Sequence, residues 1–301
     1  MCGIVGLFLK DRALEPELGA LLATMLGVMS DRGPDSAGFA VYGASTPGAI
    51  KLTLRGPAAI DFPRVVARLA EALDCGRPLD LSVRDTHAVV TLPADREAEA
   101  RSALAQLYPD LVVVGAGARM ELYKEVGLPS DVVRRFGLAD FSGTHGIGHT
   151  RMATESAVTT DGAHPFSTGP DQCLVHNGSL SNHNSVRRQL ERQGLHVNTD
   201  NDSEVAATYL TARMRAGASL GEALDQSLRD LDGFYTFVVG TESGFGVLRD
   251  PIACKPAVMA ETDRYVAFGS EYRVLVDLPE IDKARIWEPE PARVYFWERA
   301  A

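Results

Sequence analysis

The stretch MCGIVGLF, residues 1–8, places a cysteine second in the chain, ahead of an almost unbroken apolar run. Such a run, here residues 4–9, is typical of a strand that is buried on both faces. From its position alone, Cys2 is best interpreted as a buried structural cysteine. The alternative is a nucleophile. Removal of Met1 would leave an α-amine, with an ordinary pKa of about 7.7–8.0, that serves as the base for the thiol of the same residue.

The composition is that of an ordinary globular protein. The 301 residues are 45% hydrophobic and 23% charged, which is enough to bury a core without disulfide or metal staples. The net charge of −10 argues against a nucleic-acid partner, because phosphate binding needs clustered lysine and arginine. No apolar stretch reaches the length of a membrane span, so no membrane association is expected.

The cysteines indicate a reducing compartment. Cys2, Cys75, Cys173 and Cys254 are widely spaced and form no CxxC pair, which makes a zinc or redox motif improbable. The apolar start ends at Leu9 and is too short for a signal peptide. A cytoplasmic location is therefore expected.

The hydrophobic periodicity predicts two strand-rich blocks with a small inserted α+β segment between them, at about residues 57–118. Helices are predicted over residues 16–29, 62–73, 95–107, 181–193 and 202–216. Strands are predicted over residues 4–9, 38–42, 79–92, 111–114, 257–259, 265–268, 285–287 and 294–297, with a hairpin over 233–247. Helices outside and between strand blocks favour layered α and β structure.

A glycine-bearing strand over residues 144–154, THGIGHTRMAT, ends near Arg151. A guanidinium group is suited to binding a carboxylate through two parallel hydrogen bonds. His145 and His149 are four residues apart, which favours a shared metal ion only on a helix, and the glycines disfavour a helix here. No metal site is expected, and both histidines are interpreted as core or surface residues.

The dipeptide Asn177-Gly178 follows an apolar strand and is typical of a turn. The Asn177 amide and the Gly178 N–H would there point at one oxygen, as in an oxyanion hole. The alternative is an ordinary turn with Ser181 as the N-cap of the next helix.

The acidic stretch NTDNDSE, residues 198–204, precedes a predicted helix. Its Asp and Asn side chains would cap that helix and complement its dipole. The spacing does not fit a calcium loop. The carboxylate of Asp202 could equally pair with the ammonium group of an amino-acid ligand.

Together, and in this order, these motifs resemble the class II glutamine amidotransferases, a family of N-terminal-nucleophile hydrolases. The resemblance covers nearly the whole chain apart from the inserted segment. The matching stretches are MCGIVG at the start, DRGPDSAG from Asp31, GHTRMAT from Gly148, HPF from His164, HNGSLSN from His176, DSE from Asp202, RDP from Arg249 and GSE from Gly269.

The resemblance implies an α+β fold, a four-layer αββα sandwich, with one amidotransferase domain over residues 1–301 interrupted at about 57–118. It implies that Cys2, exposed by loss of Met1, attacks the side-chain amide of glutamine and that its own amine carries the proton. Asn177 and the N–H of Gly178 would stabilise the oxyanion. The expected products are glutamate and ammonia.

The resemblance also implies the residues that bind the substrate. Arg151 would bind the α-carboxylate of glutamine, and Thr154 would add a hydrogen bond. Asp202 would pair with the α-ammonium, and Arg32 would support the loop of the nucleophile. A different amide hydrolase of the same class is disfavoured, because Arg151 and Asp202 suit a free α-amino acid.

The short format resembles stand-alone amidotransferase subunits of glutamate-synthase-like complexes. No acceptor site is visible before Ala301, so the ammonia is expected to pass to a separate subunit. GHTRMATES (148–156) and EPEP (288–291) resemble the small subunit of N-methylglutamate synthase, which joins methylamine to glutamate. This implies no cofactor in this chain and leaves flavin and iron–sulfur groups to the partner subunits. The substrate would be glutamine or a related glutamyl compound. The alternative is a catalytically silent subunit that binds an amino acid or scaffolds such a complex.

Overall fold

The structure is a computed structural model and describes residues 2–153 and 157–299. Its strands, in chain order, are β1 (Gly3–Leu9), β2 (Ser36–Tyr42), β3 (Ala49–Arg55), β4 (Asp80–Arg84), β5 (His87–Pro93), β6 (Val112–Gly117), β7 (Met120–Val126), β8 (His145–Arg151), β9 (Phe166–Gly169), β10 (Gln172–Leu180), β11 (Gly233–Gly240), β12 (Gly244–Arg249), β13 (Val258–Glu261), β14 (Tyr265–Gly269), β15 (Arg285–Trp287) and β16 (Val294–Glu298). Its helices are α1 (Leu18–Val28), α2 (Phe62–Ala72), α3 (Glu97–Leu107), α4 (Pro129–Arg135), α5 (His183–Arg192), α6 (Asp202–Arg215) and α7 (Leu220–Asp230). Short 3₁₀ turns cover Arg12–Glu17, Ala94–Arg96, Leu138–Asp140, Tyr272–Leu275 and Ile281–Lys283.

Two large sheets form the body of the protein. One has seven strands in the order β15-β13-β14-β1-β8-β2-β7, and the other has five in the order β16-β12-β11-β10-β9. β1 lies between β14 and β8 and runs antiparallel to both. Gly3 is opposite Thr150, so the residue before β1 lies beside the last residue of β8. The strand predicted over residues 4–9 is confirmed.

The apolar run of β1 is unbroken because both faces of the strand are covered. Val5, Leu7 and Leu9 pack into the core that β1 shares with α1. Ile4 and Phe8 pack into the core between the two sheets. Successive side chains of a strand point to opposite faces, so alternate residues of β1 serve the two cores. This strand therefore holds the start of the chain firmly in the middle of the sandwich.

Three cores separate four layers. The first lies between the seven-stranded sheet and the pair α1 and α4, and the second lies between the two sheets. The third lies between the five-stranded sheet and the helices α5, α6 and α7. The prediction of an α+β fold with αββα layers is confirmed. Within the two described ranges, no helix combines the length and the apolar character needed to cross a membrane.

A third sheet, with four strands in the order β4-β5-β3-β6, packs with α2 and α3 around a core of its own. We call residues 49–117 the small-sheet unit. β3 begins at Ala49, ahead of the predicted start of the inserted segment. The single strand predicted over residues 79–92 is wrong: Asp85 adopts a φ of 54° and reverses the chain between β4 and β5. The division of the chain into a domain and an insertion at about 57–118 stays a prediction.

Candidate active site

A cleft of about 650 Å³ opens where β1 begins and β8 ends. Cys2, Arg151, Gly178 and Asp202 all line this cleft. The fold thus brings four of the predicted site residues together from distant parts of the chain. Thr154, which the resemblance also singles out, lies outside the described residues.

Two predicted site residues hold the backbone of Cys2. Arg32 Nε donates a hydrogen bond to the carbonyl oxygen of Cys2 at 2.7 Å. Asn177 Nδ2 donates to the same oxygen at 3.2 Å. The half-buried thiol of Cys2 lies 3.9 Å from the carbonyl oxygen of Met152, its acceptor. Arg32 and Asn177 therefore both fix the backbone of the candidate nucleophile, and the Asn177 amide lies directly beside Cys2.

Arg32 is itself held by an acidic residue. Its Nη1 pairs with Glu271 Oε1 at 2.5 Å, and Arg273 Nε pairs with the other oxygen of Glu271 at 2.6 Å. Burial acts to raise the pKa of the Glu271 carboxyl, but the hydrogen bond from Arg32 and the nearby Arg273 charge outweigh it and lower that pKa. Glu271 therefore stays ionised and keeps Arg32 aimed at Cys2. It belongs to the GSE stretch, but its role was not predicted.

Asn177 and Gly178 do not form a turn, so that prediction is wrong. β10 continues through both residues to Leu180 and pairs with β11 throughout. Gly178 has a φ of +156°, and a Cβ at this position would lie 2.0 Å from the carbonyl oxygen of Phe234. Only glycine fits there. The chain turns after Leu180, and α5 begins at His183 after Asn182, so Ser181 is not its N-cap.

Arg151 and Asp202 give the cleft opposite charges. Arg151 is the last residue of β8, is only 6% exposed, and donates through Nη1 to the carbonyl oxygen of Ala157 at 3.2 Å. Asp202 is the first residue of α6, and its Oδ2 accepts a hydrogen bond from Leu180 N at 2.9 Å. That bond ties the carboxylate to the end of β10. The arrangement suits a ligand that carries both an anionic and a cationic group.

Asp35 was missed by the sequence reasoning although it lies in the DRGPDSAG motif. Its backbone N–H donates to the carbonyl oxygen of Arg151 at 3.0 Å. Its Oδ2 accepts from Ala153 N at 2.7 Å. Asp35 therefore fixes the chain on both sides of the exposed Met152. Asp35 and Ala153 are 118 residues apart, so this hydrogen bond leaves no local signal in the sequence.

Glu204 was also missed, and it shapes the acidic side of the cleft. This residue is 6% exposed. Its carboxylate accepts from Asn198 N at 2.9 Å, from Thr199 N at 2.7 Å and from Thr199 Oγ1 at 2.6 Å. The loop that carries the cleft residues Thr199 to Asp202 is therefore folded around this buried carboxylate. Asn201 caps α6 by accepting from Ser203 N, as expected for this stretch.

Three buried histidines pack together at the cleft, and two of them, His164 and His176, line it. The rings of His149 and His164 stack with centroids 3.9 Å apart, and His149 Nε2 lies 3.0 Å from the carbonyl oxygen of His176. Ser203 Oγ lies 2.8 Å from His176 Nδ1. Within the described ranges no group of three or more His, Cys, Asp or Glu side chains is arranged to hold a metal ion. His149 and His176 pack and hydrogen-bond at this side of the cleft, whereas both ring nitrogens of the buried His164 have no hydrogen-bond partner among the described residues.

The buried histidines predict an acid-sensitive fold. Burial lowers the pKa of His87, His145 and His149 to about 3. The unfolded chain has histidine pKa values near 6.5 and binds more protons below that pH, so stability is present above about 6.5 and is lost as the pH falls towards about 3. Each residue contributes a slope of up to about 1.4 kcal/mol per pH unit in that window.

Urea unfolding at a series of pH values between about 7.5 and 5 measures this slope. We expect the free energy of unfolding to fall steadily across the series, and a flat profile would contradict the prediction. In His87→Gln, unfolding should take up about one proton fewer, so the free energy of unfolding should change less steeply with pH. His196→Gln alters an exposed histidine and is the matched control.

Comparison with known proteins agrees with this geometry. Residues 149–277 match the family model described as a glutamine amidotransferase domain. The chain is 66% identical to the glutamine amidotransferase-like protein GlxB of Rhizobium meliloti, over 99% of this chain and 98% of that protein. It is 33% identical to a putative glutamine amidotransferase of Methanothermobacter thermautotrophicus, over 98% of this chain and 99% of that protein.

The fold also resembles a solved amidotransferase. The B. subtilis glutamine phosphoribosylpyrophosphate amidotransferase superposes with a TM-score of 0.62 and is 19% identical, covering 99% of this chain. This chain spans 47% of the length of that protein, so the likeness concerns the fold alone. From the full-length identity, the matched domain and the αββα layers together, the chain belongs to the class II glutamine amidotransferase family.

Proposed function

We propose that this protein hydrolyses the side-chain amide of glutamine to glutamate and ammonia, with the thiol of Cys2 as nucleophile. One observation carries the proposal: Cys2 lies in a single cleft with Arg151, Gly178 and Asp202, and its backbone is held by Asn177. Acyl transfer on a free amino acid needs a nucleophile and oxyanion donors, together with a cation that binds the α-carboxylate and an anion that binds the α-ammonium. The family supports the same activity.

Substrate binding is assigned to the charged residues of the cleft. Arg151 binds the α-carboxylate and Asp202 binds the α-ammonium of glutamine. Arg151 is the last residue of β8, and the Asp202 carboxylate is bonded to the end of β10, so the two residues fix the amino-acid end of the substrate relative to Cys2. Two fixed points orient the γ-amide towards the thiol and reduce the entropic cost of the reaction.

The first chemical step forms a thioester and releases ammonia. The Cys2 thiol passes its proton to its own α-amine, and the sulfur attacks Cδ, the carbonyl carbon of the side-chain amide. The Asn177 amide and the Gly178 N–H stabilise the oxyanion of the tetrahedral intermediate. Its collapse breaks the C–N bond, and the proton held by the amine goes to the leaving ammonia.

The second step returns the enzyme to its starting state. The neutral α-amine takes a proton from water, which attacks the thioester and releases glutamate, and the thiol is regenerated. This mechanism requires removal of Met1, since an acylated amine is not a base. Met1 itself lies outside the described residues. Arg32 supports the nucleophile through the Cys2 carbonyl oxygen.

The ammonia is passed to a separate glutamate-synthase-like subunit, in a complex of the N-methylglutamate synthase type. The resemblance of GHTRMATES and EPEP to stand-alone amidotransferase subunits supports this part of the proposal. Flavin and iron–sulfur groups then belong to the partner, and this chain uses none. The complex is proposed to work in the cytoplasm on glutamine or a related glutamyl compound. Co-purification from the native cell followed by mass spectrometry identifies the partner.

An electrophilic glutamine analogue with a diazoketone in place of the amide tests the hydrolytic function. The thiol proton moves to the diazo carbon, the sulfur bonds to that carbon, and N₂ leaves. We expect one adduct, located on Cys2 of a chain that lacks Met1, and protection by glutamine. Cys254 is exposed and reports unselective alkylation, so its peptide should stay unmodified. An unmodified Cys2 would refute hydrolysis, and glutamine binding without an adduct would favour the silent-subunit alternative.

A further inference from the structure

One wall of the cleft is formed by a segment that follows the active-site strand β8. Ala157, Thr159, Asp161 and Gly162 of this segment line the cleft. We call residues 157–163 the cleft wall. The wall reaches the substrate-binding residues directly, because Arg151 Nη1 donates to the carbonyl oxygen of Ala157. The position of the wall therefore bears on the position of Arg151.

An ion pair connects the small-sheet unit to the cleft wall. Arg55, the last residue of β3, pairs through Nη2 with Asp161 Oδ1 at 2.5 Å. The Arg55 side chain is 21% exposed and that of Asp161 is 55% exposed. A pair in this position is partly screened by solvent, so its contribution is modest. It is nevertheless a direct contact between the small-sheet unit and a cleft residue.

Glu125 on β7 provides a second connection. Thr160 of the cleft wall donates a hydrogen bond to Glu125 Oε1. Thr86 of the small-sheet unit donates to Glu125 Oε2 at 3.3 Å. The Glu125 side chain is 13% exposed, accepts also from Val126 N at 2.9 Å and lies 3.6 Å from Arg135 Nη1. A largely buried carboxylate with several donors is costly to disturb. One carboxylate thus joins the small-sheet unit to the wall.

The backbone of the wall is held from two more directions. The buried Lys124 Nζ donates to the carbonyl oxygens of Asp161 at 3.2 Å and Ala163 at 2.8 Å. On the other side, Asn201 Nδ2 donates to the carbonyl oxygen of Gly162 at 3.3 Å. Asn201 neighbours Asp202, so the cleft wall extends from the small-sheet unit to the residue that is proposed to bind the α-ammonium group. A displacement of the cleft wall at the small-sheet unit is therefore expected to change the positions of both Arg151 and Asp202.

We propose that the small-sheet unit positions the cleft wall, and that Arg55 and Glu125 are positioning residues that set the affinity of the cleft for its glutamyl substrate. Neither side chain lines the cleft or touches Cys2. They act through the wall on the side of the cleft that carries Arg151 and Asp202, and leave bond breaking to Cys2 and Asn177. This inference rests on the proposed function for its kinetic part only.

Kinetics of glutamine hydrolysis test the proposal with Arg55→Met. We expect KM to rise about two- to fivefold, the range of a partly exposed ion pair, while kcat stays within about twofold. Arg55→Lys should restore part of the affinity. Glu125→Ala, which removes both acceptor oxygens, should raise KM by about tenfold or more. An unchanged KM in both variants, or a loss confined to kcat, would overturn the proposal.

Lys51→Met is the matched control. Lys51 lies on the same strand as Arg55 and pairs with Glu121 of β7 at 2.8 Å, but it has no contact with the wall among the described residues. Its loss tests whether any weakening between the small-sheet unit and β7 lowers affinity. We expect a KM close to that of the wild type. A rise equal to that of Arg55→Met would make the effect unspecific and defeat the proposal.

Hydrogen exchange of the wall gives a readout that does not depend on hydrolysis. Arg55→Met should speed amide exchange in a peptide covering residues 157–163, and Lys51→Met should not. If the wild type forms no adduct with the diazoketone, the proposed function fails, yet faster exchange in the Arg55 variant still supports the positioning role. If the adduct forms but exchange is identical in all variants, only the present inference fails.

Discussion

Replacement of Cys2 with alanine is expected to abolish glutamine hydrolysis, with kcat lowered by about 10⁴-fold or more. The thiol supplies the nucleophile in the proposed mechanism, and no other described cysteine lines the cleft. Loss of a covalent nucleophile typically removes all but the residual catalysis that arises from binding and oxyanion stabilisation. Ammonia release at saturating glutamine measures the change.

Binding should survive this substitution. Arg151 and Asp202 are untouched in the Cys2→Ala variant, so the dissociation constant for glutamate, measured by calorimetry, should stay within about threefold of the wild-type value. Cys254→Ala alters an exposed cysteine and should leave kcat unchanged. Hydrolysis that persists in the Cys2 variant would show that the thiol is not the nucleophile.

Replacement of Asn177 with alanine is expected to lower kcat by about 10²–10³-fold, the usual cost of one oxyanion donor, about 2.7–4 kcal/mol. The change should appear in kcat, because the oxyanion is absent from the bound substrate and develops only on the way to the tetrahedral intermediate, whereas KM reports mainly ground-state binding. Asn177 Nδ2 also donates to the Cys2 carbonyl oxygen, so the variant loses this support of the nucleophile together with the oxyanion donor. Steady-state kinetics of the purified variant give both constants.

Asn182→Ala is the matched control for this prediction. Asn182 follows the same strand, but its amide donates to the carbonyl oxygen of Asp230, away from the cleft. Its loss should affect thermal stability and leave kcat within about twofold. The oxyanion role of Asn177 would be refuted by a loss below about tenfold, or by a loss that lies entirely in KM.

The alkylation pattern of the diazoketone separates these two residues further. The Asn177→Ala protein retains its thiol and should still form the adduct on Cys2, at a reduced rate. The Cys2→Ala protein should form none. The pair of results distinguishes a nucleophile from a group that stabilises charge.

The periodicity of the sequence predicted layered α and β structure, and the family resemblance supplied the αββα order of the layers. The run over residues 4–9 is apolar without alternation, and this reflects the two cores that β1 serves. α6 could be placed from the capping residues before it. α7 was missed although Ser219 and Glu222 form a capping box, a pattern that is visible in the sequence.

The error at Asn177 and Gly178 has a tertiary cause. An Asn-Gly dipeptide usually marks a turn, but the hydrogen bonds that β10 makes with β11 continue through it. The need for glycine comes from the close approach of the Phe234 carbonyl oxygen, a contact between residues 56 positions apart. A single sequence carries no record of that approach.

The supporting residues of the site follow the same rule. Cys2, Arg151 and Asp202 stand in motifs and were identified from them. Asp35 and Glu204 bind mainly backbone N–H groups, which all residues except proline offer, so residue types in the sequence do not mark these partners. The residues that define the chemistry could therefore be predicted from the sequence, whereas the residues that hold the backbone in place could not.

The central position of β1 has a consequence for how the protein is made. β1 is synthesised well before its partners β8 and β14, which begin at His145 and Tyr265. At about 5–20 residues per second on the ribosome, the strand waits on the order of tens of seconds for both neighbours. During that time its apolar side chains are a hazard for aggregation, and the charged residues Lys10, Asp11 and Arg12 directly after it act as gatekeepers. Productive folding of this protein thus depends on keeping the β14 edge of its first strand free until almost the entire chain has been translated.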